Sequence, residues 1–137
     1  MKSAKQESRP TLDQQRAKHA WEAVQRAKAG QSAQDKQRAK KFGGQAKKLP
    51  IRIMASGLGQ ALAFLAAKGD APDLIDELSD WVNTRIKPGS GSNSPLLDRI
   101  IQGDSDFLRR ATDEVLAYLQ WLTRFAEAEG LTEETNQ

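Results

Sequence analysis

Residues 51–67 read IRIMASGLGQALAFLAA, the most apolar stretch of the chain. Ile53, Met54, Leu58, Ala61, Leu62, Phe64 and Leu65 cover most of a helical circumference. A helix that is apolar nearly all round is a buried one. Gly57 and Gly59 predict a break into a short helix and a longer one, and Gly69 is the expected stop. Pro50, just upstream, suits the first turn of this helical piece. A membrane span requires about 18 consecutive apolar residues. The longest run here, 58–67, is interrupted by Gly59 and Gln60. The reading is therefore a central core helix, and the flanking segments supply its partners.

Upstream lie two amphipathic helices. Thr11 with Gln14 predicts a capping box, and Ala17, Ala20, Trp21, Val24 and Ala27 follow at helical spacing. This face is mostly alanine, with Trp21 as its one large anchor, and Gly30 stops the helix. Ser32 caps the second helix, on which Ala39, Phe42, Ala46 and Leu49 fall within about 80°. Gly43 and Gly44 each weaken that helix by roughly 1 kcal/mol relative to Ala and predict a bend or a late start.

Downstream, Asp70 and Pro72 open a helix to about Ile86, with Leu74, Ile75, Leu78, Trp81 and Val82 inward. Residues 87–94, KPGSGSNS, read as a flexible loop. Ser94 and Pro95 start a short helix through Ile101. Asp104 or Ser105 caps the last helix, which runs to about Glu129. Its stripe is Leu108, Ala111, Val115, Leu119, Leu122 and Ala126, widened by Tyr118 and Phe125. No segment alternates with period two, and the recurring Arg-Ala-Lys at 16, 26 and 38 is unevenly spaced, so it is no repeat. At 137 residues the chain buries about two-thirds of its unfolded surface. The expectation is all-α: a disordered arm at 1–10, one compact bundle of about six helices over 11–130, and a polar tail at 131–137.

Charge divides the chain. Residues 1–50 carry 13 basic and 4 acidic side chains, and residues 51–137 carry 8 basic and 14 acidic ones. The net +3 thus hides a +9 half and a −6 half. Among the cations on the two N-terminal helices are Arg16, Lys18, Arg26, Lys28, Arg38, Lys40, Lys41, Lys47 and Lys48. Only Asp13, Glu22 and Asp35 dilute them. Lys36, Lys40 and Lys47 form one row, Lys41 and Lys48 another, with Arg38 at the edge. Clustered cations attract phosphates without any base code, so the pattern predicts non-specific nucleic-acid contact. Trp21 and Phe42 fall on core faces, so a base-stacking platform is not indicated.

Other chemistry finds little support. With no cysteine there is no disulfide, thiolate zinc site or cysteine nucleophile. His19, the only histidine, reads as a solvated surface residue. Asp73, Asp76, Glu77 and Asp80 read as the polar face of their helix rather than a metal site. Gly57-Leu58-Gly59 lacks the strand and the Lys-Ser/Thr of a phosphate loop. Arg109 with Asp113, Arg110 with Glu114, and Arg124 with Glu127 read as surface pairs. No catalytic constellation, metal or cofactor is expected. The polar N-terminus predicts no secretory signal and hence a soluble, cytoplasmic protein without membrane contact.

Three blocks carry a resemblance. QRAKHAW at 15–21 resembles the N-terminal helix signature of one family. KLP at 48–50 with SGLGQALAFL at 56–65 resembles its central segment. RATDE at 110–114 with WLTRFAEA at 121–128 resembles its C-terminal helix. The family is the small subunit of the Cmr complex, the type III-B CRISPR–Cas effector. The resemblance implies a non-catalytic helical subunit that stacks in several copies beside the backbone filament holding the guide RNA. Its implied partners are other Cmr subunits, copies of itself, and guide and target RNA. Within that frame Arg16, Lys18, Arg26, Arg38, Lys40, Lys41, Lys47 and Lys48 are the expected RNA-contacting residues. Two alternatives stand beside this reading. One is a free-standing nucleic-acid-binding helical protein, although no helix-turn-helix is evident in the basic half. The other is a scaffold without RNA contact.

Overall fold

Helix ends fall where the cap residues stand. The computed structural model describes residues 8–89 and 94–132. Most of the expected arm at 1–10, the centre of the loop at 87–94 and the tail beyond residue 132 lie outside the described residues. Helix α1, Leu12–Ala27, opens on a reciprocal capping box. Thr11 Oγ1 accepts from Gln14 N at 3.0 Å, and Thr11 N donates to Gln14 Oε1 at 2.7 Å. Helix α2, Ala33–Ser56, repeats the device with Ser32 and Asp35. Helix α3, Leu58–Lys68, follows after Gly57 alone, whose φ of 88° turns the chain. Helix α4, Pro72–Arg85, starts on proline, and α5, Leu96–Gln102, is a short link. Asp104 caps α6, Ser105–Ala128, accepting from Phe107 N at 2.9 Å.

The architecture is an all-α bundle, with six helices among the described residues. Helix α6 is its spine, packed along α1 on one side and α2 on the other. Helices α3, α4 and α5 close the remaining sides. Tyr118, Leu119 and Leu122 from α6 share one buried cluster with Val24, Phe42 and Leu49, and Leu58, Leu62, Leu65, Leu74 and Leu78 complete the buried centre.

Helix α2 differs from the sequence expectation. Pro50 does not begin a new helix; it sits inside one running unbroken to Ser56. An interior proline has no N–H for the carbonyl four residues earlier, here Ala46. The Thr123 hydroxyl of α6 donates to that Ala46 oxygen at 3.4 Å. Packing of α6 against α2 thus covers the gap in the helical ladder. Gly43 is where the helix approaches another segment closely. A methyl there would meet the Leu131 carbonyl oxygen and lie 2.6 Å from Leu131 Cβ. Gly44 has nothing within 4 Å of such a methyl.

Leu131, placed at the head of the polar tail, is in fact buried. Gly130 takes φ 74° after α6. Gly130 N donates to Glu127 O at 3.0 Å and Leu131 N to Ala126 O at 2.9 Å, the two bonds of a Schellman cap. The turn carries Leu131 back onto Gly43.

The central segment is buried on one face only. Ile53, Leu58, Ala61, Leu62 and Leu65 point inward, while Ile51 and Met54 are each 75% exposed and Phe64 is half-exposed. Ile53 lies about 40° from buried Leu49 on the α2 wheel, and Ile51 lies about 200° away, so one helix cannot bury both. Trp21 is likewise half-exposed, its ring edge-on to Phe125 at 5.3 Å. It is no core anchor, and Ala23 fills the inner face instead. Leu108, expected in the α6 stripe, is 38% exposed.

Candidate nucleic-acid interface

Of the eleven basic residues of α1, α2 and their connection, the nine named from the sequence fall into two groups; of the other two, Lys36 is exposed without an acidic partner among the described residues, and Arg52 donates to Gln45 Oε1 at 2.7 Å. Lys18, Lys40, Lys41, Lys47 and Lys48 are exposed. Among the described residues none of the five has an acidic partner. The other four are held by the acidic half of the chain. Arg16 Nε donates to Glu114 Oε2 at 2.6 Å and its Nη2 to Oε1 at 3.1 Å, while Nη1 reaches Asp13 at 3.2 Å. Arg26 makes the same fork on Glu77, both bonds 2.8 Å. Lys28 Nζ donates to Glu129 Oε1 at 2.7 Å. Arg38 lies 3.5 Å from Asp35 and 3.8 Å from Asp73.

These pairs cross between helices, so they tie α1 to α4 and α6. Burial pushes the Glu114 carboxyl up, but hydrogen bonds from Arg16 and Trp81 outweigh it and hold it below the usual carboxylate range. Reciprocally, the bond to Glu114 raises the Arg16 guanidinium against its own desolvation. Arg26 is raised by Glu77 in the same way. Asp13 is held low chiefly by the hydrogen bond from Trp121 Nε1 at 3.0 Å.

His19 is not the solvated residue its wheel position suggests. Its Nδ1 lies 2.7 Å from Tyr118 Oη and its Nε2 2.7 Å from Asp80 Oδ2. A carboxylate only accepts, so Nε2 carries the proton, and in the neutral ring the Tyr118 hydroxyl donates to Nδ1. The imidazole packs against Tyr118 and Trp81, with centroids 5.3 and 5.4 Å away. Tyr118 is fully buried and its phenol pKa is pushed up by desolvation. The acidic run on α4 is the polar face of its helix, and it also serves packing: Asp73, Glu77 and Asp80 each meet a side chain of α1 or α2, while Asp76 is exposed. Among the described residues no three such side chains converge to hold a metal.

Two of the pairs expected along α6 are replaced. Glu114 is taken by Arg16 and Trp81 instead of Arg110, and Arg109 turns back to Asp106 at 2.8 Å. The Arg124–Glu127 contact is present at 3.2 Å. Beside the lysine rows, Lys41 lines a shallow cleft of about 290 Å³ with Gln34, Gln37, Arg38, Gly69 and Asp70. No helix among the described residues is long and apolar enough to cross a membrane.

Known proteins share this arrangement of helices. The family model described as CRISPR-associated protein (Cas_Cmr5) matches residues 12–129. The crystal structure of a CRISPR-associated Cmr5 family protein from Thermus thermophilus superposes with a TM-score of 0.68 at 30% identity, covering 87% of this chain and 97% of that one. The matched span runs from the first helix to the end of the last, taking in all three sequence blocks that carried the resemblance. The chain belongs to the Cmr5 family of CRISPR-associated proteins, the small subunit of the Cmr complex.

Proposed function

We propose that this protein is a non-catalytic, cytoplasmic subunit that stacks in several copies along the backbone filament of a type III-B effector. There it steadies target RNA through Lys18, Lys40, Lys41, Lys47 and Lys48. The observation that carries the reading is the division of the cations. These five lysines stand exposed and without acidic partners among the described residues, whereas Arg16, Arg26 and Arg38 are engaged by Glu114, Glu77 and Asp73. The arginines hold the helices in register, and the lysines supply a phosphate-facing field. Contact with neighbouring subunits is supported by apolar side chains left in the open: Ile51 and Met54 one turn apart on α2, and Phe64 on α3.

Each phosphate neutralised on a single strand contributes about −0.7 to the log–log salt slope, so four lysine contacts give a slope near −3. One copy binds weakly at physiological salt, and several stacked copies gain by avidity. The test reverses Lys40, Lys41, Lys47 and Lys48 to Glu, checks helicity and assembly, and measures capture of guide-matched RNA by the particle. Weaker capture with a shallower salt slope is expected. Unchanged affinity and slope would show that the face is merely solvated.

A further inference from the structure

A second cationic feature lies apart from the lysine rows. A cleft of about 250 Å³ opens between α1, the C-terminal end of α4 and α6. Its walls are Arg16, Arg85, Ile86, Arg110, Asp113 and Glu114. Arg16 and Glu114 form a closed pair. Both Glu114 oxygens already accept from Arg16, and Oε2 also accepts from Trp81 at 2.8 Å. The pair therefore makes a neutral wall, with three of the carboxylate's roughly four acceptor positions taken. Arg110 would otherwise reach Glu114 from one turn earlier on the same helix, and it is left over. Arg85, the last residue of α4, is left over too. Among the described residues neither guanidinium has a hydrogen bond or an ion pair. Asp113 and, through space, Glu114 oppose them, and with three arginines against two carboxylates the lining keeps an excess of one positive charge.

We propose that this cleft binds a phosphodiester group of single-stranded RNA through Arg85 and Arg110, an assignment that rests on the RNA-binding reading above. The guanidinium fork matches phosphate oxygens in two parallel hydrogen bonds, which a lysine cannot supply. The lining favours a nucleic-acid backbone over an acidic protein partner. Ile86 is its only apolar side chain, whereas the buried centre of a protein interface is apolar and poor in charge. A concave recess with two free forks suits a compact anion entering from solvent.

The test uses the full chain and follows the arginine Nε–H signals by NMR. Arg85→Lys and Arg110→Lys variants identify the two resonances. The probes are an oligouridylate, inorganic phosphate and oligoglutamate. The Arg85 and Arg110 signals are expected to move with the oligouridylate while that of Arg16 stays fixed. The Arg85→Gln/Arg110→Gln variant, confirmed helical, should lose about 0.7 from the salt slope of oligouridylate binding, the loss for one phosphate. Signals that stay still with the oligouridylate overturn the proposal. So does movement with inorganic phosphate only, or with oligoglutamate only. If the lysine reversal abolishes binding while Arg85→Gln/Arg110→Gln leaves affinity and slope intact, the cleft fails and the lysine face stands. If the arginine signals move and the slope falls while the lysine reversal changes nothing, the cleft stands and the lysine face fails.

Discussion

Replacing Glu114 with Ala tests the claim that arginines of the basic half are structural. Glu114 accepts three hydrogen bonds, two from Arg16 and one from Trp81. The Trp81 residue is 3% exposed, so its N–H would lose its acceptor in a site water scarcely reaches. An unsatisfied buried donor costs about 1–3 kcal/mol. Breaking a fully buried ion pair costs about 3–5 kcal/mol. The Arg16 side chain is 18% accessible and retains Asp13, so its share is smaller than that. Together the loss is about 3 kcal/mol, or roughly 10 °C in Tm for a domain of this size. Urea unfolding followed by circular dichroism measures it directly. Glu114→Gln adds a pH signature. The folded carboxyl titrates below the usual range and the unfolded one near about 4.3. Its stabilisation is therefore complete above the unfolded value and disappears as pH falls through the folded one. The stability difference between wild type and Glu114→Gln should shrink across that window. An Ala variant that loses under half a kcal/mol at unchanged m-value would refute the network, since about 1 kcal/mol is already the least an orphaned indole N–H should cost.

Further outcomes follow from the packing. Leu62→Ala should cost about 2–5 kcal/mol in denaturant melts, because Leu62 is 1% exposed at the centre of α3. The adjacent glycines of α2 should respond in opposite directions. Gly43→Ala drives a methyl into Leu131 and costs about 1.5–3 kcal/mol if that leucine is displaced, whereas Gly44→Ala meets open space and gains up to about 1 kcal/mol. Purified protein incubated with labelled RNA and Mg²⁺ or Mn²⁺ should give no cleavage that co-elutes with it and vanishes on a single carboxylate substitution.

The helices themselves were legible because their signals are local. Thr11–Gln14 and Ser32–Asp35 announce two helix starts from within four residues, and Gly69 and Gly130 mark two ends. Helical period also named Ala39, Phe42, Ala46 and Leu49 as one buried face. What failed was inference that needed a neighbouring element. Pro50 reads as a helix start until Thr123, 73 positions later, is seen beside the Ala46 carbonyl. Leu131 reads as tail until Gly43 makes room for it. The all-round apolarity of 51–67 suggested complete burial, yet among the described residues no element covers the side bearing Ile51 and Met54.

The charge asymmetry shows the same divide at the candidate site. A +9 half beside a −6 half invites an external polyanion, but part of the imbalance is settled inside the fold, where α4 and α6 present carboxylates to α1 and α2. Spacing within one helix reveals only i,i+3 and i,i+4 partners, and Arg16–Glu114 and Arg26–Glu77 lie 98 and 51 positions apart. One signal was nevertheless present in the residue types. Among the described residues of α1, α2 and their connection, Arg16, Arg26 and Arg38 are engaged by carboxylates and Arg52 by Gln45, whereas of the seven lysines only Lys28 is. A guanidinium is weakly hydrated and forks onto a carboxylate, so it suits a contact between packed helices; an ammonium is strongly hydrated and stays in water. Read by type rather than by sign, the N-terminal half already separates cations that hold the bundle together from cations free to meet phosphate. Arg52 and Arg99 show the other outcome for an arginine without a carboxylate, donating to Gln45 and to Asn83 and the Ile86 carbonyl, whereas Arg85 and Arg110 line one cleft with no such partner among the described residues.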